Sequence, residues 1–287
     1  MELNIFDKSI IVKDKMCSIN GKNNTLSKPY VNMYIRLGNK CNCNCKFCTF
    51  CGKNISFDFY KFYYIFKELN SKIRINKLSF TGGEPTLDLD NLIKCLDLVK
   101  STNNKIFTVV NTNGTNLSLI NDLDIIDSIS LSRHHYDDIK NNEIFNNEML
   151  TLQKISELNS RNNIHLSCNL LKDYIGNEEE VIKYLEKTNE YDLLDIGFVS
   201  LMKNNEYSED QFIDFKDLNF QNYDNFTITK EFNNENYCRC RNYAYFSDSF
   251  KISNIYSRYY CDSNYNVGNL VYDINVLKQG FNGNILL

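Results

Sequence analysis

The chain has 287 residues, enough for one large domain with a sizeable core, alone or with a smaller appendage. A net charge of −4 argues against nucleic-acid binding through a broadly basic surface, and no apolar run approaches the ~20 residues that a membrane crossing needs. The first residues, Met1-Glu2-Leu3-Asn4-Ile5, lack the basic-then-apolar order of a secretion signal, so a cytoplasmic location is expected.

Residues 1–29 read as an amino-terminal extension with a hairpin pattern: apolar stretches at 10–12 and 17–19, then Asn20-Gly21. From 30 to 205 short apolar strands alternate with helical segments. The strands are expected at 31–37, 77–81, 106–111, 127–132, 164–171 and 193–201. The helices are expected at 56–69, 89–100, 117–123, 142–158 and 178–187, with 3.6-type spacing such as Leu92, Leu96 and Val99. Such alternation implies right-handed crossovers and a parallel sheet, so the expected fold is α/β, a partial (β/α)6 barrel rather than a closed eight-strand one. Several strands carry one polar face: Asn32, Tyr34 and Arg36; Ser128, Ser130 and Ser132; His165, Ser167 and Asn169. A dry parallel sheet is apolar on both faces, so this pattern predicts a hydrated lumen. Residues 206–287 break the rhythm and are expected to form a small carboxy-terminal lobe.

Five of the eleven cysteines fall between Cys41 and Cys51, directly after the first barrel strand. In a reducing compartment, clustered cysteines are more often metal ligands or catalytic groups than disulfides. The loop after a strand lies at the carboxyl edge of a parallel sheet, where active sites gather. Cys41, Cys45 and Cys48 follow C-x3-C-x2-C. Thiolates suit zinc or iron–sulfur clusters, and three of them on a [4Fe–4S] cube leave one iron open. Two other arrangements use Cys51: a four-thiolate zinc site on Cys41, Cys45, Cys48 and Cys51, or a ferredoxin-like run from Cys45, which no proline follows.

With Phe47 just before the last cysteine, and Gly82-Gly83-Glu84 after the second strand, the chain resembles the radical S-adenosylmethionine superfamily. The resemblance implies that Cys41, Cys45 and Cys48 hold a [4Fe–4S] cluster whose open iron takes S-adenosylmethionine. It also implies that Phe47 lies near the adenine, and that Gly82, Gly83 and Glu84 hold the methionine amino group. Asn113, in an Asn-Gly turn after the third strand, matches a recurrent family element, although such a turn is favoured at any strand exit. Ser130 and Ser132 are expected near the ribose or the methionine carboxylate. Arg133 is a partner for that carboxylate, and Asn169 a ribose contact. His134 and His135 read either as acid–base groups or as ordinary surface or packing residues. The chemistry so implied is reductive cleavage of S-adenosylmethionine to a 5′-deoxyadenosyl radical, which abstracts a substrate hydrogen. It draws its electron from a flavodoxin- or ferredoxin-type donor.

Cys238, Cys240 and Cys261 resemble a reduced form of the second-cluster lobes, termed twitch or SPASM, of many relatives. They are expected either to bind an auxiliary iron–sulfur cluster or, for Cys238 and Cys240, to donate a hydrogen atom to a substrate radical. Relatives with such lobes act on peptides, so the expected substrate is a peptide, with a small molecule or nucleotide as the alternative. The rivals from other classes are a zinc-stabilised binding module and an electron carrier.

Overall fold

The computed structural model describes residues 2–6, 8–11, 30–48, 55–214, 217–219, 226–233, 241–247, 254–258 and 269–279. A short antiparallel hairpin comes first, β1 (Glu2–Ile5) with β2 (Lys8–Ile11). The repeating unit then begins: β3 (Tyr30–Arg36), α1 (Phe59–Lys72), β4 (Arg74–Thr81), α2 (Leu89–Thr102), β5 (Phe107–Thr112) and β6 (Ser128–Ser132). It continues with α3 (Asp138–Phe145), α4 (Leu152–Leu158), β7 (Ile164–Leu170), α5 (Glu178–Glu190), β8 (Asp195–Ser200) and α6 (Glu206–Asp210). Five further strands follow: β9 (Phe226–Asn233), β10 (Arg241–Ser247), β11 (Asn254–Arg258), β12 (Asn269–Asp273) and β13 (Val276–Gln279).

The six βα strands stand side by side in chain order, β3 to β8, every neighbouring pair parallel. This is the partial barrel expected, and the sheet is open rather than closed on itself. The segment expected as a lobe adds its described strands to both edges of the same sheet. On one side β12 runs parallel to β3, with β13 beyond it. On the other, β11 runs parallel to β8, followed by β10 and β9.

Burial alternates along the strands as the polar-face pattern requires. Val31, Met33 and Ile35 are buried against the helices, whereas Asn32, Tyr34 and Arg36 are half-buried on the other face. The same division separates Ile129 and Leu131 from Ser130 and Ser132, and Leu166, Cys168 and Leu170 from Ser167 and Asn169. Cys95 is likewise buried in the core. Each apolar side chain taken wholly out of water contributes roughly 1.5–3 kcal/mol, so the register that sends these residues inward is strongly specified.

Helix boundaries follow local chemistry. The expected helix at 56–69 begins later, because Asp58 caps α1 by accepting from Lys61 N. The single helix expected over 142–158 is two. Asn146 closes α3 in the left-handed region (φ 50°), and Thr151 caps α4. Asparagine tolerates that conformation better than most residues, and the break turns α3's end toward the cysteine loop. The helix expected at 117–123 is only a 3-10 turn, Leu117–Leu119.

The β12 strand is packed into the core of the barrel. Tyr272 is fully buried, its ring 5.2 Å from Phe62 of α1 and 5.8 Å from Phe57. On the lumen side Asp273 pairs with Arg36 at 3.2 Å. Tyr272→Ala is therefore expected to destabilise the whole barrel by about 3–5 kcal/mol, read from its cooperative denaturant transition. An unchanged transition would show that β12 is not part of that core.

Candidate active site

All parallel strands deliver their carboxyl ends to one edge of the sheet, and the site residues within the described region come from the turns there or from the strands β6 and β7 leading into it. The cysteine loop leaves β3, the diglycine turn leaves β4, Asn113 leaves β5, Ser132 to His135 leave β6, and Asn169 sits near the end of β7.

The diglycine turn lies directly on the cysteine loop. Gly83 N–H donates to Gly38 O and Glu84 N–H to Lys40 O, each at 2.8 Å. A Cβ at Gly82 would stand 2.5 Å from Gly38 O; one at Gly83 would overlap the Lys40 carbonyl and stand 2.7 Å from Asn39 O. Gly82 also has φ +143°, which L side chains rarely adopt. The glycines thus let two strand exits meet backbone to backbone.

Glu84 anchors the meeting point. It is 4% exposed and its carboxylate takes four hydrogen bonds. Oε1 accepts from Thr86 N at 3.0 Å, Thr86 Oγ1 at 2.6 Å and Thr112 Oγ1 at 2.7 Å, and Oε2 accepts from Asn113 N at 2.7 Å. A buried carboxylate is stable only when so paired. Glu84 therefore joins the exits of β4 and β5, and most of its acceptor capacity is turned inward. Thr86 and Thr112, which complete this knot, were not singled out by the sequence; only their hydroxyls near a capping glutamate hint at it.

Other turns grip the cysteine loop from the far side. Asn44 N–H donates to Phe145 O (3.0 Å) at the end of α3. Asn147 Nδ2 donates to Asn42 O (3.1 Å), and Asn205, the cap of α6, donates to Lys46 O (3.1 Å). Asn42 Nδ2 reaches Thr115 Oγ1 at 2.8 Å. Within the loop, Cys48 N–H closes a turn on Cys45 O at 3.0 Å.

Cys41, Cys43, Cys45 and Cys48 are free thiols, Cys41 exposed and the others half-buried. The Cys41 thiol is lowered to about 6, first by a hydrogen bond with the Cys43 side chain; burial opposes the shift and the Cys43 N–H supports it. That N–H lies 3.4 Å from Cys41 Sγ. Cys43 shifts the opposite way, raised by the same contact and by burial. The contact thus favours ionisation of Cys41 over Cys43. Among the described residues no three His, Cys, Asp or Glu side chains converge on a point that a single ion would occupy. Free thiols at Cys41, Cys45 and Cys48, on a loop braced by its neighbours, are soft donors of the kind that a [4Fe–4S] cluster takes. Cys17, Cys51, Cys238, Cys240 and Cys261 lie outside the described residues.

Phe47 is half-buried, its ring edge-on to His134 at 5.3 Å. His134 stacks on Phe145 at 4.8 Å and accepts a hydrogen bond from Asn169 N at Nδ1 (3.1 Å), which leaves its proton on Nε2. Burial, aided by the Arg133 charge, lowers it to about 3; His135 is lowered to about 4, chiefly by burial. Both are buried against their neighbours rather than on the surface. Arg133 is 1% exposed. Its guanidinium donates to His135 O (2.7 Å), Leu150 O (2.7 Å) and Tyr136 O (3.3 Å) and pairs with Asp138. This placement differs from the expected carboxylate partner: the side chain braces the loop after β6, because its donors find carbonyls there as soon as β6 ends. Ser130, Ser132 and Asn169, by contrast, keep half-buried polar side chains with no partner among the described residues.

A family model for the Radical SAM superfamily matches residues 35–215. The chain is 31% identical over 144 residues to a probable GTP 3′,8-cyclase of Thermoplasma volcanium, a match covering 48% of this chain and 40% of that protein. Its fold resembles that of SuiB from Streptococcus suis bound to the precursor peptide SuiA, with a TM-score of 0.52 and 20% identity over 67% of this chain and 44% of that one. SuiB bound to S-adenosylmethionine matches with a TM-score of 0.51 and 20% identity, covering 66% and 44%. The chain thus spans less than half the length of each of these relatives.

The diglycine contact yields the most direct structural test. Gly83→Ala is expected to destabilise the protein by about 1–3 kcal/mol through overpacking against backbone that cannot rotate away, and to reduce the iron retained after anaerobic purification. A variant with wild-type stability and iron content would show that the two turns do not meet as described.

Proposed function

Because the chain belongs to the radical S-adenosylmethionine superfamily, whose cofactors are a [4Fe–4S] cluster and S-adenosylmethionine, we propose that this edge of the barrel binds both and that the enzyme modifies a peptide. The observation that carries the proposal is the fastening of the cysteine loop to the diglycine turn through Gly83 N–H, Glu84 N–H and the buried Glu84 carboxylate. It fixes the ligand loop beside the turn that the resemblance assigns to the methionine amino group.

Bound together, cluster and S-adenosylmethionine supply a 5′-deoxyadenosyl radical able to abstract a hydrogen atom from carbon. The chain's residues take the supporting roles. Cys41, Cys45 and Cys48 hold the irons. The backbone of Gly82 and Gly83 positions the amino group. Ser130, Ser132 and Asn169 offer uncommitted hydroxyl and amide groups from adjacent strands to a polar ligand in the lumen. Half-buried Phe47, its ring braced by His134 behind it, offers an aromatic surface against which an adenine can lie. Exposed Lys40 and Lys46 border the loop and suit an acidic flavodoxin- or ferredoxin-type donor.

A peptide substrate is supported by the similarity to SuiB, crystallised with its precursor peptide. A nucleotide is the second reading, favoured by the sequence match to the probable GTP 3′,8-cyclase. An auxiliary cluster on Cys238, Cys240 and Cys261 is compatible with either reading, and iron stoichiometry separates one cluster from two.

Purified without oxygen, the wild type is expected to release 5′-deoxyadenosine from S-adenosylmethionine and dithionite, and Cys45→Ala to release none. A peptide encoded by any short reading frame found beside the gene should accelerate release where GTP does not. Acceleration by GTP alone would replace the peptide by a nucleotide. An intact cluster that yields no 5′-deoxyadenosine with either would contradict the reading.

A further inference from the structure

Cys43 and the carboxamides around the cysteine loop are left over by the ligand assignment, and their geometry is specific. Asn113 leaves β5 with its backbone N–H fixed on Glu84 Oε2, 2.7 Å away. Its side-chain oxygen is held by Thr115, accepting from N at 3.0 Å and from Oγ1 at 2.9 Å. The carboxamide therefore cannot rotate, and its Nδ2 is turned to the cysteine loop. Within reach of that nitrogen are Asn42 Oδ1 at 2.7 Å, Cys43 Sγ at 3.2 Å and Cys41 Sγ at 4.0 Å. One N–H is spent on Asn42. The other faces the two sulfurs.

We propose that Asn113 is a positioning residue that sets the reduction potential of the cluster, by directing a fixed amide N–H at the Cys43 sulfur and, at the outer limit of hydrogen-bond reach, at the ligand sulfur of Cys41. This rests on the reading that Cys41 is a cluster ligand. An N–H dipole aimed at a ligand sulfur stabilises the extra negative charge that the cluster gains on reduction, and hydrogen bonds to the sulfurs are among the main determinants of iron–sulfur potentials. The field is strong here because the donor is preorganised: Glu84, Thr115 and Asn42 hold it before any electron arrives. Cys43, which the ligand motif does not need, becomes the second sulfur of the same hydrogen-bonded group. Its own N–H lies 3.4 Å from Cys41 Sγ, and Asn147 Nδ2 approaches its sulfur at 3.7 Å. The Cys41 sulfur is thereby faced by donors from β5's exit and from within the loop.

The test is an anaerobic, EPR-monitored redox titration of wild type, Asn113→Leu and Asn113→Asp, each with iron and sulfide measured. Asn113→Leu keeps the bulk and removes the donor; Asn113→Asp keeps the size and replaces the donor with an acceptor. Both are expected to retain a full cluster and to titrate at more negative potential than wild type, Asp the lower of the two. Either variant with a full cluster and the wild-type potential overturns the assignment. So does failure of both variants to take up a cluster, which would make Asn113 a scaffold residue. Failure of the wild type itself to bind a cluster would instead contradict the functional reading on which the assignment rests.

Discussion

The site depends on a backbone contact that only glycine permits. Where β3 and β4 end, the turn at Gly82 and Gly83 lies against the carbonyls of Gly38, Asn39 and Lys40 with no room for a Cβ. Two N–H···O bonds of 2.8 Å join the surfaces. Once these strand ends are fused, the cysteine loop has its starting direction, and Glu84 is carried beneath the exit of β5. There it gathers Thr86, Thr112 and Asn113 around one buried carboxylate. A pair of glycines therefore determines where three consecutive strand exits stand, and Asn44, Asn147 and Asn205 hold the loop's remaining length. The ligand loop is ordered by the protein itself, so little conformational entropy remains to be lost when a cluster binds.

Some of this was legible in the sequence because the chemistry is local. The spacing of Cys41, Cys45 and Cys48 and the diglycine turn are short motifs whose residue types have few alternatives. The six parallel strands were legible from apolar periodicity, and the alternation of Asn32, Tyr34 and Arg36 with Val31, Met33 and Ile35 announced a polar lumen. That the glycines also seat the neighbouring loop was not legible, because their partners Gly38 and Lys40 lie more than forty residues earlier.

What stayed hidden depends on contacts between distant residues. Arg133 follows a lumen strand and carries a charge, which reads as a ligand residue; it is buried because Leu150, Tyr136, His135 and Asp138 converge on its guanidinium. The sequence around His134 could not show that Asn169's N–H fixes its ring between Phe47 and Phe145. The pairing of β12 with β3 joins strands more than 200 residues apart and has no local signature. The same holds for the ion pair Arg36–Asp273, which brings a charge from the far end of the chain to the lumen mouth.

The claim beneath all of this is that three thiolates of one loop leave one iron of a cube without a protein ligand, and that S-adenosylmethionine takes that iron. Mössbauer spectroscopy of the iron-57 protein, recorded with and without S-adenosylmethionine, tests it directly. The account predicts one iron distinguishable from its three companions, whose parameters alone move when S-adenosylmethionine is added. A cluster whose irons are all equivalent and indifferent to S-adenosylmethionine would contradict it.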